Sequence, residues 1–254
     1  MLVGGAVAAS PARLVSPAEA LHVQAAGARY VSRGGSKLAA GLDAFEIPVA
    51  GRRALDAGAS TGGFTDCLLQ RGAERVVAVD VGYGQFDARL RADPRVVLVE
   101  RTNVRHLTFE GLQGADPGFR PVDLVVADLS FISLTTVMDV LSGPCARPGA
   151  DMVLLVKPQF ESGRQEMAKS RGVVRDPAIW RGALERVARS VGAHRGVIMG
   201  IVPSPLTGPK GNVEFLLAAR TAEPDAAPKE VAAMIDEALA AVAEGQAAGR
   251  PGGR

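Results

Sequence analysis

The chain has 254 residues, 47% of them hydrophobic and 22% charged, which are the proportions of an ordinary folded protein and exclude a disordered or collagen-like one. A formal net charge of +2 excludes a globally basic nucleic-acid binder, so any basic face must be local. The apolar runs are strand-sized and broken by charges or glycines, short of the roughly 18 residues that a spanning helix needs, which excludes stable membrane insertion.

Residues 1–28 read as neither a complete domain nor a clear linker. Their apolar opening, MLVGGAVAASPAR, has no basic residue ahead of it, so a signal peptide is not expected and a cytoplasmic address follows. SKLAAGLDAF, Ser36–Phe45, places Leu38, Leu42 and Phe45 at helical spacing. From Arg53 onward, β-branched runs alternate with helical patterns, the mark of a doubly wound α/β domain.

Seven strands are predicted: RALDAG from Arg53, RVVAVDV from Arg75, VVLVER from Val96, VDLVVADL from Val122, MVLLVKP from Met152, GVIMGIV from Gly196 and NVEFLLAAR from Asn212. Helices are predicted in the gaps, over Gly63–Arg71, near Phe86–Arg91, over Ser133–Leu141 and over Pro177–Val191, the last with Asp176 as N-cap and Pro177 at its first position. The last two strands are joined only by PSPLTGPKG, too short for a crossover, so they should pair antiparallel. An Ala-rich amphipathic helix, Pro228–Glu244, and a tail expected to be disordered, GQAAGRPGGR, end the chain. Cys67 and Cys145 lie far apart with no CxxC motif, which points to reduced thiols rather than to a disulfide framework or a zinc site.

The first strand runs into LDAGASTGGF, Leu55–Phe64, a glycine loop that lets backbone approach a ligand closely at a helix N-terminus. Its pattern is DxGxxxGG rather than the GxGxxG of a dinucleotide site. Asp56 is unwelcome beside a phosphate but suits a cation, and S-adenosylmethionine carries an ammonium, a sulfonium and an adenosine without phosphate. Asp80 closes the second strand 24 residues later, where an acid can accept from both ribose hydroxyls. Asn103, past the third strand, is placed to reach the adenine side. The expected cofactor-binding set is Asp56, Gly58, Ser60, Thr61, Gly62, Gly63, Phe64, Asp80, Val81, Asn103 and Asp128.

In open α/β sheets ligands bind at the carboxyl ends of the parallel strands. Lys157 closes the fifth strand there, with Pro158 ending that strand at once, and Asp128 closes the fourth. Glu214 sits at the start of the last, reversed strand and so reaches the same edge, while Lys37 precedes the sheet. Burial disfavours a charged amine and a nearby carboxylate favours it, so acids beside Lys157 would orient and poise it. A plain ion pair between Lys157 and Asp128, holding strand ends together, is the alternative.

The blocks SRGGSKL, LDAGASTGGFTDCLL, VDVGYGQ, ERTNVR, DLVVADLSFISL, LLVKPQFE, GVVRDP and SPLTGPKGNVEFLL, in that order from about Arg29 to Arg220, resemble the TlyA family, ribosomal RNA 2′-O-methyltransferases once called haemolysins. The resemblance implies a Rossmann-like S-adenosylmethionine-dependent fold of the FtsJ type, with a seven-stranded, mostly parallel sheet whose last strand is antiparallel. It also implies a Lys-Asp-Lys-Glu catalytic tetrad, which falls on Lys37, Asp128, Lys157 and Glu214. Lys157 is the expected base toward a ribose 2′-hydroxyl, expected to be that of a cytidine. Asp128 would hold Lys157, while Lys37 and Glu214 would position the ribose, with no metal required. The partner implied is ribosomal RNA or a ribosomal subunit rather than DNA, which lacks that hydroxyl.

The family carries an N-terminal S4-type RNA-binding domain of which residues 1–24 resemble only the end, so the expectation is a native start upstream. The expected organisation is an S4 remnant and linker over 1–28, a catalytic domain over 29–222 and a helix with its tail over 223–254. Basic candidates for phosphate contact are Arg29, Arg33, Arg52 and Arg53, then Arg164, Lys169, Arg171 and Arg175 in a loop that could act as a lid. Two rival readings are a cofactor-binding protein inactive on RNA for want of its S4 domain, and a membrane-active haemolysin.

Overall fold

The computed structural model describes residues 2–3, 6–7, 15–16, 19, 21–22, 29–162, 172–221 and 228–248. Strands β1 (Leu2–Val3), β2 (Ala6–Val7) and β3 (Leu21–His22) form a small antiparallel sheet in the order β2-β1-β3. The rest of the expected S4 remnant, the cations Arg164, Lys169 and Arg171, and tail residues 249–254 lie outside the described residues.

The main sheet has seven strands: β4 (Arg53–Ala57), β5 (Arg75–Val79), β6 (Val96–Val99), β7 (Val122–Ala127), β8 (Ala146–Val156), β9 (Val197–Pro203) and β10 (Phe215–Arg220). Their order is β6-β5-β4-β7-β8-β10-β9, and β10 runs antiparallel to both of its neighbours while the other pairings are parallel. The chain winds outward from β4 to β6 and then restarts at β7 on the other side of β4. That reversal opens a crevice at the carboxyl ends of β4 and β7.

Alternation along the strands feeds two apolar layers. In β8, Met152, Leu154 and Val156 point into one and Val153 and Leu155 into the other. Helices α1 (Arg33–Ala44) and α2 (Gly63–Gln70) cover the second layer, joined by the one-turn α3 (Ala88–Arg91). Helices α4 (Phe109–Ala115), α5 (Met138–Leu141), α7 (Pro177–Ala193) and α8 (Pro228–Ala248) cover the first. The Asp176 carboxylate caps α7 by accepting from Ala178 N at 2.8 Å, as the sequence predicts.

Several boundaries differ from expectation. Strand β8 starts at Ala146, six residues early: Ala146 pairs with Val122, the register shifts, and pairing with β7 resumes at Asp151, while Gly149, Ala150 and Arg147 in between bond to Thr221 just past β10. Helix α4 was not predicted from FEGLQGA, whose two glycines disfavour helix. It forms because Thr108 Oγ1 caps Gly111 N and Leu112 is wholly buried. The predicted helix over Ser133–Leu141 is a 3-10 turn, Leu134–Thr136, followed by α5, and β10 begins only at Phe215. Helix α1 begins three residues early at Arg33, and α8 runs to Ala248, past the expected end at Glu244.

Candidate active site

The loop between β4 and α2 is shaped by its glycines. Gly58 has φ +88°, and a Cβ there would lie 2.6 Å from the carbonyl oxygen of Asp128, so the β4 and β7 strand ends meet backbone to backbone. A Cβ on Gly63 would lie 2.1 Å from Ser32 Oγ, which brings the segment preceding α1 against the N-terminus of α2. Asp80 ties the loop down: Oδ2 accepts from Ser60 N at 2.8 Å and Oδ1 from Gly82 N at 2.6 Å.

Asp56 lies behind this loop rather than on it. It is wholly buried, and Oδ2 accepts from the Thr65 hydroxyl at 2.6 Å, while Oδ1 has no partner among the described residues. Burial pushes its carboxyl up to about 7; Thr65 opposes this, and the charges of Asp128 and Asp80 reinforce it.

Beside the loop is a cleft of about 280 Å³ lined by Lys37, Asp128, Lys157 and Glu214 together with Gly58, Ser60, Thr61, Gly63 and Phe64. The four tetrad residues, spread over 178 positions of sequence, thus share one wall system. They form two ion pairs: Lys37 Nζ donates to Glu214 Oε2 at 2.5 Å, and Lys157 Nζ lies 2.5 Å from Asp128 Oδ1. Lys157 Nζ also donates to Ser130 Oγ at 3.0 Å. Glu214 is 2% exposed and Lys157 8%, so both pairs are largely removed from water and neither is an ordinary surface bridge.

Of the other expected cofactor residues, Gly62 has φ +97° and faces Leu90 and Phe86. Val81 is 71% exposed, and exposed Asn103 accepts from Arg105 N through its side chain. With Asp56 and Asp80, these line the neighbourhood of the loop rather than the cleft. Ser32, Ser130 and Pro209 line the cleft without having been singled out from sequence. Ser130 could have been found by its place two residues beyond a strand-closing acid. Phe131 was missed as well: it is 92% exposed with φ +66°, and its ring packs on Phe160 with centroids 5.2 Å apart.

The basic candidates divide. Arg33 lines the cleft, and exposed Arg29 lies with its guanidinium 5.3 Å from the Tyr30 ring centre. Arg52 and Arg53 do not belong to the mouth, contrary to expectation. They stand at the start of β4, at the opposite end of the sheet, where Arg52 pairs with Asp151 at 2.6 Å and Arg53 with Asp116 and Glu74 at 3.8 Å.

An acid-flanked glycine loop that carries no basic side chain of its own, at the reversal point of this sheet, defines a Rossmann-like S-adenosylmethionine-dependent methyltransferase. The close backbone approach at Gly58, on a loop held by the carboxylate of Asp80 rather than by a basic side chain, fits a cationic, phosphate-free cofactor. A family model described as FtsJ-like methyltransferase matches residues 30–221. The 16S/23S rRNA (cytidine-2′-O)-methyltransferase TlyA of Mycobacterium tuberculosis is 53% identical over 220 residues, 86% of this chain and 79% of that protein. Hemolysin A of Brachyspira hyodysenteriae is 37% identical over 188 residues, 74% of this chain and 75% of its own. A solved Lactococcus lactis protein provisionally described as a hemolysin superposes with a TM-score of 0.76 at 35% identity, covering 85% of this chain and 99% of that one. The chain belongs to the TlyA family of FtsJ-like methyltransferases, and its cofactor is S-adenosylmethionine.

Proposed function

We propose that the chain methylates a ribose 2′-hydroxyl, that of a cytidine, in ribosomal RNA. The observation that carries this is the pair of buried ion pairs, Lys37–Glu214 and Lys157–Asp128, facing one cleft beside the glycine loop. When bound, S-adenosylmethionine supplies the electrophilic methyl. Lys157 engages Asp128 and Ser130; acting as the neutral amine, it would keep two N–H groups on these partners and use its lone pair to take the proton of the ribose hydroxyl, whose oxygen accepts the methyl as the thioether leaves. Asp128 holds that amine in place and stabilises the ammonium it becomes. Lys37, fixed by Glu214, presents positive charge toward the oxygen that loses its proton. Exposed Phe131 offers a face on which an unstacked base can lie, and Arg33 a cation for phosphate.

On the same reading, residues 29–222 form the catalytic unit and 1–28 the end of an S4-type RNA-binding module, supported by the three short strands there. The proposed place of action is the cytoplasm, where ribosomal RNA resides. The haemolysin reading has no structural support, because no helix among the described residues is long and apolar enough to cross a membrane. The test is transfer of labelled methyl to ribosomal RNA, with nuclease digestion to identify 2′-O-methylcytidine. Lys157→Ala should lose about 10²–10⁴ in kcat while calorimetry shows unchanged cofactor affinity. Transfer that survives the substitution, or cofactor binding that disappears with it, would remove Lys157 from the role of base.

A further inference from the structure

Glu161 takes no part in the ion pairs of the cleft, yet it is buried, 8% exposed, and both of its carboxylate oxygens are engaged. It ends a single helical turn, α6 (Pro158–Glu161), that begins directly after Lys157, and its own N–H donates to the Lys157 carbonyl at 3.2 Å. Both carboxylate oxygens reach away from that turn to the loop following β7. Oε2 accepts from the Ser133 hydroxyl at 2.5 Å, and Oε1 from Leu134 N at 2.9 Å. From behind, Arg186 of α7 donates to the Glu161 carbonyl at 3.1 Å.

We propose that Glu161 is a positioning residue that clamps the Asp128–Leu134 loop onto the turn carrying Lys157, and so fixes the Lys157 amine against Asp128 and Ser130. The proposal rests on Lys157 being the base. Three further contacts cross the same seam, Lys157 to Asp128, Lys157 to Ser130 and Phe131 to Phe160. The first two are made by the reacting side chain, and the third is an exposed ring contact. Glu161 therefore supplies the anchor that stays put when the amine changes its proton and when RNA occupies the cleft.

The loop has need of one. Phe131 holds a left-handed backbone, φ +66°, which a bulky side chain keeps only where its surroundings impose it. Glu161 grips the loop two and three residues beyond that point. Burial pushes its carboxyl upward, against the two hydrogen bonds it accepts, as suits a group held for geometry rather than for charge.

The experiment compares Glu161→Ala, Glu161→Gln and Ser133→Ala in the full chain. Glutamine retains a carbonyl for Leu134 N–H and an amide that donates to Ser133 Oγ, so it should rescue. Glu161→Ala should lower kcat by about 10- to 100-fold with KM for RNA and cofactor affinity within about twofold, and Glu161→Gln should stay near wild type. A second readout needs no RNA: acylation of Lys157 by an amine reagent, quantified by peptide mass spectrometry. In Glu161→Ala it should accelerate at Lys157 and not at Lys37, which is 6% exposed and held by Glu214.

Unchanged Lys157 labelling in a folded Glu161→Ala protein overturns the clamp. So does equal acceleration at both lysines, or a glutamine variant as impaired as alanine. If Glu161→Ala does not fold, Ser133→Ala takes its place, and wild-type labelling of Lys157 there overturns the clamp as well. A wild-type enzyme that transfers no methyl instead overturns the functional reading and leaves the labelling to judge the clamp.

Discussion

The sharpest quantitative consequence of the fold concerns Asp56. Its carboxyl is pushed from the ordinary 3.8 to about 7 by complete burial. At 1.36 kcal/mol for each unit, holding it ionised disfavours the folded chain by about 4 kcal/mol. The sign follows from proton binding. Between pH 4 and 7 the folded chain holds a proton that the unfolded chain has lost, so this group's contribution is greatest below pH 4, falls through that window and is flat above it. Asp56→Asn keeps an acceptor for the Thr65 hydroxyl and removes the titration. The variant should therefore gain on wild type by about 3 kcal/mol between pH 5 and pH 8. Urea unfolding followed by the fluorescence of Trp180, the single tryptophan and 4% exposed, measures this directly. A stability difference that does not change with pH, or one that moves in favour of wild type as pH rises, would refute the burial argument.

Two other substitutions probe the frame of the cleft. Gly58→Ala places a Cβ 2.6 Å from the Asp128 carbonyl on a residue with φ +88°, so it should cost about 1–3 kcal/mol of stability and at least tenfold in cofactor affinity, read by thermal melting and calorimetry. Normal affinity would mean that the strand ends do not pack as closely as described. Asn212→Ala removes an acceptor from Val174 N at 2.8 Å and a donor to the Gly172 carbonyl at 2.9 Å, leaving a buried N–H unsatisfied. It should cost about 1–3 kcal/mol and slow methyl transfer, because Glu214 lies two residues on. A variant with full activity and stability would show that these bonds do not hold the Glu214 loop.

The strands were legible because their apolar runs face two helical layers, and that pattern needs no knowledge of their order. The edge at which Lys157 sits was legible too, since a lysine followed by proline cannot continue a buried strand. What escaped was whatever depends on a distant partner. The RPG segment of β8 has no strand pattern and is held in line by hydrogen bonds to Thr221, some seventy residues on, and FEGLQGA becomes helix only because a pocket receives Leu112. Asp56 looked like a ligand-facing acid from its place in the loop, whereas the pleat of β4 turns its carboxylate behind the loop toward Thr65. Phe131 carried no periodic signal at all, since a single exposed aromatic in a loop follows no pattern.

The tetrad itself shows how topology does what local sequence cannot. Strands β7, β8 and β10 are neighbours, so Asp128 and Lys157 leave adjacent strands at one edge, and the pairing of Phe215 with Val156 sets Glu214 opposite Lys157. Lys37 arrives by another route. It shares a face of α1 with Gly41, one turn on, and a Cβ at Gly41 would already lie 3.3 Å from Val153 and Leu216. The missing side chain lets α1 lie low across β8 and β10. At that height a lysine one turn earlier meets Glu214 at 2.5 Å. The glycine in SKLAAGL, unremarkable in a helical pattern and mildly unfavourable to helix, thus sets the distance between the two halves of the site.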